Sequence, residues 1–572
     1  MSFNKEVNRR DYTNILFLLL VLIIIIEFSS AQNFTYVISN SANWRDVYST
    51  IHYANLKGVG SDFLVSTSHG PVLLNGISKK NIIKVVTSTR DKFVINYPLT
   101  IRNAGFDGVE EVVVRNANLE LIDDLPDIEN FVVVGGTYGY NAIAVVPYAV
   151  KKRAWVFLVD RTNIDEIDAI LSRRNVKELL IYGFIEQDIR NTLQKYNPDI
   201  IDNGDRFIDN IEITKRFLKM SPTKQITLTN GEFIEKALMS GAEPILFTGK
   251  DNVPDQIANY IKSSDIEVGV LIGADLVRAA TNIRRSTGIS VIVKFARGAR
   301  APTGAVAAVE GLDVFYLPIP VMSLDLYSAR YNRASSQLEL VYRSDSTIPI
   351  FFKGTITPNI PGAERLGDID PIFIAPNDFK TVIYPDISIN ENNFTISLFT
   401  IYGETPVSLE KILEKTVNVE IINVMDRCSI DIAGVKYNKQ KKSFIITVKN
   451  TGDVDCWVDA ELTDVFIDRG RKIIGSDGSI LVKSRKTGNI IIEQELTEKE
   501  LAENKFVNVV AYYGERKENL VKIIKGRFEL IIEIISFATA VLILLVIVIA
   551  IVILFFLILF WRRKKEDELD EL

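Results

Sequence analysis

Short apolar runs alternate with amphipathic stretches from about Ser39 to Arg300, whereas alternating apolar and polar positions dominate from Leu312 to Lys525. The first texture predicts strands interleaved with helices, and the second predicts β structure with few helices. Phe131-Val-Val-Val-Gly135 reads as a buried strand, Asn141 to Lys152 as a helix, and Ala154-Trp-Val-Phe-Leu-Val-Asp160 as the next strand. Ile164, Ile167, Ile170 and Leu171 then fall on one face of a helix from Asn163 to Arg173, followed by the strand Glu178-Leu-Leu-Ile-Tyr-Gly183. This β-α-β-α-β order predicts a parallel sheet covered by helices.

The pattern recurs. Glu243-Pro-Ile-Leu-Phe-Thr248, a helix from Val253 to Ile261 and Val268-Gly-Val-Leu-Ile-Gly273 repeat Ala154 through Gly183, with a further helix after each copy at Gln187 to Lys195 and Leu276 to Arg285. An earlier copy lies within Asp46 to Glu120, where Ala104-Gly-Phe-Asp-Gly-Val-Glu-Glu-Val-Val-Val114 reads as a helix end followed by a strand. Three α/β units are therefore expected, at about 39–130, 131–220 and 221–300. A β-rich region (312–415) and an immunoglobulin-like sandwich (417–525) follow. The sandwich is read from Lys442-Ser-Phe-Ile-Ile-Thr-Val-Lys-Asn-Thr-Gly452 and Cys456-Trp-Val-Asp-Ala-Glu-Leu-Thr463.

The ends carry a different pattern. Lys5, Arg9 and Arg10 precede an apolar stretch from Ile15 to Ile26 and the small residues Ser29, Ser30 and Ala31, the order of a secretory signal or an N-terminal anchor over 1–31. Ile534 to Trp561 is free of charge and longer than the roughly 20 residues a bilayer requires. Arg562, Arg563, Lys564 and Lys565 follow it, so the positive-inside rule places 562–572 in the cytoplasm and the bulk outside, as a single-pass type I protein.

Composition narrows the function classes. The formal net charge is -6, from 66 basic and 72 acidic residues, which gives no broad basic surface for nucleic acid. Much Ile, Val, Lys and Glu with little Cys, Met and His fits a heat-adapted proteome and, with no wall-sorting motif, an archaeal source. The two cysteines, Cys428 and Cys456, both fall in the exported sandwich, so a disulfide between adjacent strands is expected. Asn33-Phe-Thr35 and Asn393-Phe-Thr395 match the N-glycosylation pattern.

Val134-Gly135-Gly136 with Asn141-Ala-Ile-Ala-Val-Val-Pro-Tyr-Ala-Val150, Asn203-Gly-Asp-Arg206 with Phe207, and Pro244-Ile-Leu-Phe247 together resemble the type 2 cell-wall-binding repeats of bacterial surface proteins. That resemblance implies three flavodoxin-like or Toprim-like units in a threefold arrangement that binds anionic cell-wall polymer. The family's Pro-Ile-Leu-Leu element, linked to that binding, is similar to Pro244, Ile245, Leu246 and Phe247 and to Pro71, Val72, Leu73 and Leu74. The middle copy has Trp155-Val-Phe-Leu158 without the proline, which sets polymer binding by that unit in question.

Other chemistries compete. Val134-Gly135-Gly136-Thr-Tyr-Gly139 followed by Asp160 has the layout of a dinucleotide crossover, with GGxxG in place of GxGxxG. His69 in Ser66-Thr-Ser-His-Gly70 sits where a serine triad would need an imidazole, although such residues also make ordinary turns. Asp202, Asp205 and Asp209, and the pair Asp368 and Asp370, lack EF-hand spacing and read as loop acids. The expected protein is a non-enzymatic, membrane-anchored surface component without cofactor or metal. It tethers envelope glycan or surface-layer protein, as a lattice component or as the attachment of a lattice. An exported hydrolase or solute receptor using a cleft between α/β units is the alternative.

Overall fold

The computed structural model describes residues 34–273, 276–294, 313–468, 470–533 and 537–570. The expected signal or anchor at 1–31 and the glycosylation site at Asn33 lie outside them. Two compact units divide between Ile319 and Pro320.

The first unit contains three four-stranded parallel sheets. Repeat 1 runs β1 (Tyr36–Asn40), α1 (Trp44–Lys57), β2 (Gly60–Phe63), α2 (His69–Asn75), β3 (Ile82–Ser88), α3 (Tyr97–Asn103) and β4 (Gly108–Val114), and α4 (Ala117–Glu120) follows it. Repeat 2 runs β5 (Asn130–Gly135), α5 (Tyr140–Lys152), β6 (Ala154–Val159), α6 (Ile164–Ser172), β7 (Glu178–Tyr182), α7 (Gln187–Leu193) and β8 (Asp199–Ile201), and α8 (Arg206–Met220) follows it. Repeat 3 runs β9 (Gln225–Thr229), β10 (Phe233–Ile234), α9 (Lys236–Met239), β11 (Ile245–Phe247), α10 (Asp255–Ser263), β12 (Val268–Ile272), α11 (Val277–Thr287) and β13 (Ser290–Lys294).

The three sheet orders are β2-β1-β3-β4, β6-β5-β7-β8 and β11-β9-β12-β13. Each is second-first-third-fourth, the flavodoxin-type order. The helix after each first strand (α1, α5 and α9) packs against the other two, so the repeats close around a common centre. One core cluster holds Tyr48 and Ile51 of α1, Val145 and Val146 of α5, and Leu238 and Met239 of α9. The threefold arrangement implied by the resemblance is thus present in the packing.

Two seams of this ring use the same device. Asn118 on α4 donates to Val156 O (2.8 Å) and accepts from Leu158 N (2.9 Å), pairing the outer edge of β6 as a neighbouring strand would. Asn210 on α8 donates to Ile245 O (3.0 Å) and accepts from Phe247 N (2.7 Å), repeating the clamp on β11. The helix that carries Asn210 starts where the Asn203-Gly-Asp-Arg206 motif prescribes. Gly204 takes φ 70, Asp205 caps Phe207 N and Ile208 N, and Asn203 donates to Asp209.

His52 lies fully buried at the seam of repeats 1 and 2, with Nε2 on Ala154 O at 2.8 Å and Nδ1 without a partner. Burial pushes its pKa down to about 4, opposed by the Ala154 hydrogen bond. The unfolded chain therefore takes a proton near pH 6.5 that the folded chain refuses. The stability His52 contributes is complete above that pH and falls until about pH 4. The stability difference between the protein and a His52→Gln variant is expected to drop by about 3 kcal/mol between pH 7 and pH 4, measured by denaturant unfolding at each pH.

β14 (Phe315–Tyr316) pairs with β10, so Val314 to Leu317, expected to open the β region, belongs to the first unit. The second unit has two sandwiches. In the first, β15 (Leu324–Asn332), β16 (Gln337–Ser344), β20 (Phe379–Tyr384) and β23 (Glu420–Ile422) form one sheet. β17 (Ile350–Pro358), β18 (Leu366–Gly367), β19 (Ile372–Ile374), β21 (Thr395–Gly403) and β22 (Leu409–Asn418) form the other. Leu340, Tyr342, Phe352 and Ile396 fill the space between. Because β22 and β23 complete this sandwich, residues 417–422, placed by pattern in the next domain, belong here.

The second sandwich comprises β24 (Ile430–Asn438), β25 (Ser443–Asn450), β26 (Cys456–Ile467), β27 (Gly470–Gly475), β28 (Ile480–Val482), β29 (Thr487–Glu493), β30 (Phe506–Gly514) and β31 (Lys522–Glu533). β31 changes sheets, pairing antiparallel with β30 over Lys522–Glu529 and parallel with β24 over Leu530–Glu533. Cys428 and Cys456 form a disulfide with Cα atoms 5.6 Å apart. It does not join adjacent strands: Cys428 leads into β24 and Cys456 opens β26, which belong to the two facing sheets. Both cysteines lie in the core between the sheets, where a bond can pin facing sheets as readily as neighbouring strands.

A last helix spans Phe537–Asp570. Its described side chains from Leu542 to Leu559 are exposed. Among the described residues no helix is long and apolar enough to cross a membrane.

Candidate functional site

The glycine turn that suggested a dinucleotide site is filled by protein. Arg45 at the start of α1 donates to Asp160 Oδ2 (2.8 Å) and Gly136 O (2.8 Å), joining repeat 1 to repeat 2. Burial opposes charge on Asp160, but the Thr162 hydroxyl and Arg45 hold its carboxyl below the usual carboxylate range. The acid that would bind ribose is already paired, and the guanidinium lies against the turn a pyrophosphate would approach. A dinucleotide at this turn would have to displace Arg45 from both Asp160 and Gly136.

Between repeats 1 and 3 lies a cleft of about 310 Å³. Tyr36 of β1, Asp62 of β2 and Lys236 of α9 meet at its floor. Tyr36 Oη donates to Asp62 Oδ2 at 2.5 Å, and Lys236 Nζ lies 2.9 Å from Tyr36 Oη and 3.0 Å from Asp62 Oδ2. Burial, followed by the Asp62 charge, pushes the Tyr36 phenol up to about 12, so it remains a donor at any physiological pH. Lys236 is held above its ordinary range by Asp62 and Tyr36 against the desolvation that opposes them, and it stays cationic.

On the opposite side, His69 Nε2 meets Asp313 Oδ2 at 3.1 Å, while Nδ1 accepts from Val65 N at 3.3 Å. Both ring nitrogens are thus engaged, and the Ser66 and Ser68 hydroxyls pair with each other at 3.3 Å. No nitrogen remains to activate a serine, so the loop does not have triad geometry. Val65, Val72 and Leu73 supply an apolar wall.

Of the residues implicated by resemblance, Val72 and Leu73 reach this cleft, and Leu74 is buried behind them. Pro71 to Leu74 lies within helix α2 and is not the counterpart of the strand Ile245–Phe247. By sheet order that counterpart is β2, Gly60–Phe63. Ile245, Leu246 and Phe247 are buried in the shared core, where they position β11, and Pro244 O accepts from Thr227 N at 2.9 Å. Tyr36, Asp62, Lys236 and Asp313 escaped the sequence reading, since only the ring closure brings them together.

The acids considered for calcium have separate partners. Asp202 pairs with Arg190 at 2.7 Å, Asp205 caps α8, and Asp209 accepts from Asn203, with burial pushing its carboxyl up to about 6. Asp368 accepts from Gly354 N and Tyr384 Oη, while Asp370 is exposed. Among the described residues no group of three or more His, Cys, Asp or Glu side chains is gathered to hold a metal ion. Asn393 is exposed, and the hydroxyl of Thr395 accepts from Asn359.

No protein-family model matches this sequence, and no curated protein matches it. Among solved structures it is similar to Cwp8 from Clostridium difficile, with 15% identity and a TM-score of 0.37 over 45% of this chain and 47% of that one. It is also similar to Cwp6 from the same organism, with 15% identity and a TM-score of 0.36 over 45% of this chain and 44% of that one. The chain spans less than half the length of either protein.

Proposed function

We propose that this chain is a non-enzymatic surface tether whose repeat ring binds an envelope glycan in the cleft between repeats 1 and 3. The observation that carries the reading is the cleft itself. A sugar presents hydroxyls that both donate and accept, together with apolar C–H faces. The cleft offers the donor Lys236, the acceptors Asp62 and Asp313, and the wall of Val65, Val72 and Leu73. The cationic Lys236 suits an acidic substituent on such a polymer. A concave polar site of this kind supports glycan binding better than a flat lattice contact. Multivalent attachment raises avidity by roughly 10²–10⁴, so weak single sites suffice.

In this reading the sandwiches are a stalk, and the charge-free segment Ile534 to Trp561 anchors the chain with Arg562 to Lys565 on the cytoplasmic side. The exposed apolar surface of the last helix supports that assignment. Asn393 is a glycan acceptor on the same exported side.

Lys236 is half exposed, so Lys236→Ala is expected to leave the fold intact and to weaken co-sedimentation with isolated envelope glycan by about tenfold, the loss of one charge-assisted hydrogen bond. Unchanged sedimentation would rule the cleft out as the glycan site.

A further inference from the structure

The two sandwiches of the second unit meet at a buried polar cluster that no glycan reading uses. Lys380 on β20 is 4% exposed and faces Glu461 on β26, which is 5% exposed. Its Nζ lies 3.4 Å from the centroid of the Tyr512 ring. Tyr512 Oη donates to Glu461 Oε2 at 3.2 Å. Asp459, two residues earlier on the same face of β26, accepts from Ser476 Oγ, and Asp378 closes the group two residues before Lys380. Lys517 is the further cation acting on Asp378. Thr381 to Asn519 and Asn519 to Glu339 are the flanking hydrogen bonds across the joint.

We propose that Lys380 and Glu461 condense into an amide that covalently cross-links the two sandwiches. Three features favour this over a permanent ion pair. A buried ion pair recovers little more than its desolvation cost, and the amide removes both charges at once. Groups held in contact react with effective molarities of about 10⁵–10⁸ M. The cluster also holds acids beyond the one that reacts: burial, then the charge of Asp378, pushes the Asp459 carboxyl up to about 7, so it can take and return a proton near neutrality.

The step balances without an oxidant or cofactor. Burial favours the neutral amine, but the Glu461 carboxylate holds Lys380 as an ammonium, so the reaction begins with that proton passing to Asp459. As Asp459 returns that proton to Oε1, Nζ attacks Cδ of Glu461, forming a C–N bond while the C=O π pair moves onto Oε2. The tetrahedral oxyanion at Oε2 receives the Tyr512 hydroxyl as donor. Oε1 departs as water, taking one proton returned by Asp459 and one lost from Nζ as its C–O bond breaks. Ammonium plus carboxylate become amide plus water, and Oε2 remains as the amide oxygen.

The test is mass spectrometry of the full chain purified from a host that adds no glycans. The expected intact mass is lower than that of the disulfide-bonded sequence by one water, and digestion yields one branched peptide containing both Lys380 and Glu461. Lys380→Arg is expected to restore the full mass, and Asp459→Asn to slow formation of the link by about 100-fold. A wild-type chain of full mass, with Lys380 and Glu461 on separate peptides, overturns the proposal. A link that forms at an undiminished rate in Asp459→Asn overturns the role given to Asp459.

Discussion

Asn118→Ala and Asn210→Ala are each expected to lower the stability of the repeat unit by about 2–4 kcal/mol, far more than a polar-to-alanine change usually costs. Each side chain satisfies one carbonyl and one N–H on the outer edge of a strand whose side chains are buried. Alanine leaves both backbone groups without a partner where water has little access, at about 1–3 kcal/mol for each group. The Asn118 amide also donates to the Ser49 hydroxyl, so its loss further loosens the packing of α4 on α1. Denaturant unfolding of the two variants beside Asn191→Ala, an exposed asparagine on α7, checks the argument. The control is expected to stay within about 0.5 kcal/mol of the parent. Clamp variants as stable as the control would mean that the strand edges find other partners.

Breaking the disulfide is the second large effect. Cys428 and Cys456 are 28 residues apart, and closing a loop of that length stabilises by about 3–4 kcal/mol in the chain-entropy model. Because the bond joins facing sheets, reduction or a Cys428→Ala, Cys456→Ala double substitution also removes a pin between them. Unfolding of the second unit, followed with and without reductant, is expected to shift by that amount while the repeat unit, which has no cysteine, is unchanged. An equal shift in both units would point to coupling between their stabilities.

The threefold repeat was legible in the sequence because parallel strands buried on both faces are apolar runs, as in Ala154 to Val159 and Val268 to Ile272. The first repeat was harder to place for the same reason inverted. Its true second strand, Gly-Ser-Asp-Phe, carries Asp62 into the cleft and so lacks the apolar signature. Pro71 to Leu74 carries that signature yet forms a helix, since a run of four apolar residues does not separate helix from strand. Pro71 also lies in the first turn of that helix, where a missing N–H costs nothing.

Glycine and acid at Gly136 and Asp160 have the spacing of a cofactor turn, and only the position of Arg45 reveals their occupant. The cleft itself joins Tyr36, Asp62, Lys236 and Asp313 from separate elements, a juxtaposition that no linear pattern records. The joint of Lys380 and Glu461 is hidden similarly, because each residue lies in a strand that reads as ordinary β structure.

The central claim is that the exported part holds the envelope through glycan. Its most direct test is a pull-down of residues 34–533 against isolated cell envelopes stripped either of protein or of glycan. Binding is expected to survive protein stripping and to be lost with the glycan. Binding that disappears with the protein and persists without glycan would contradict it and assign the repeats to assembly with other surface proteins.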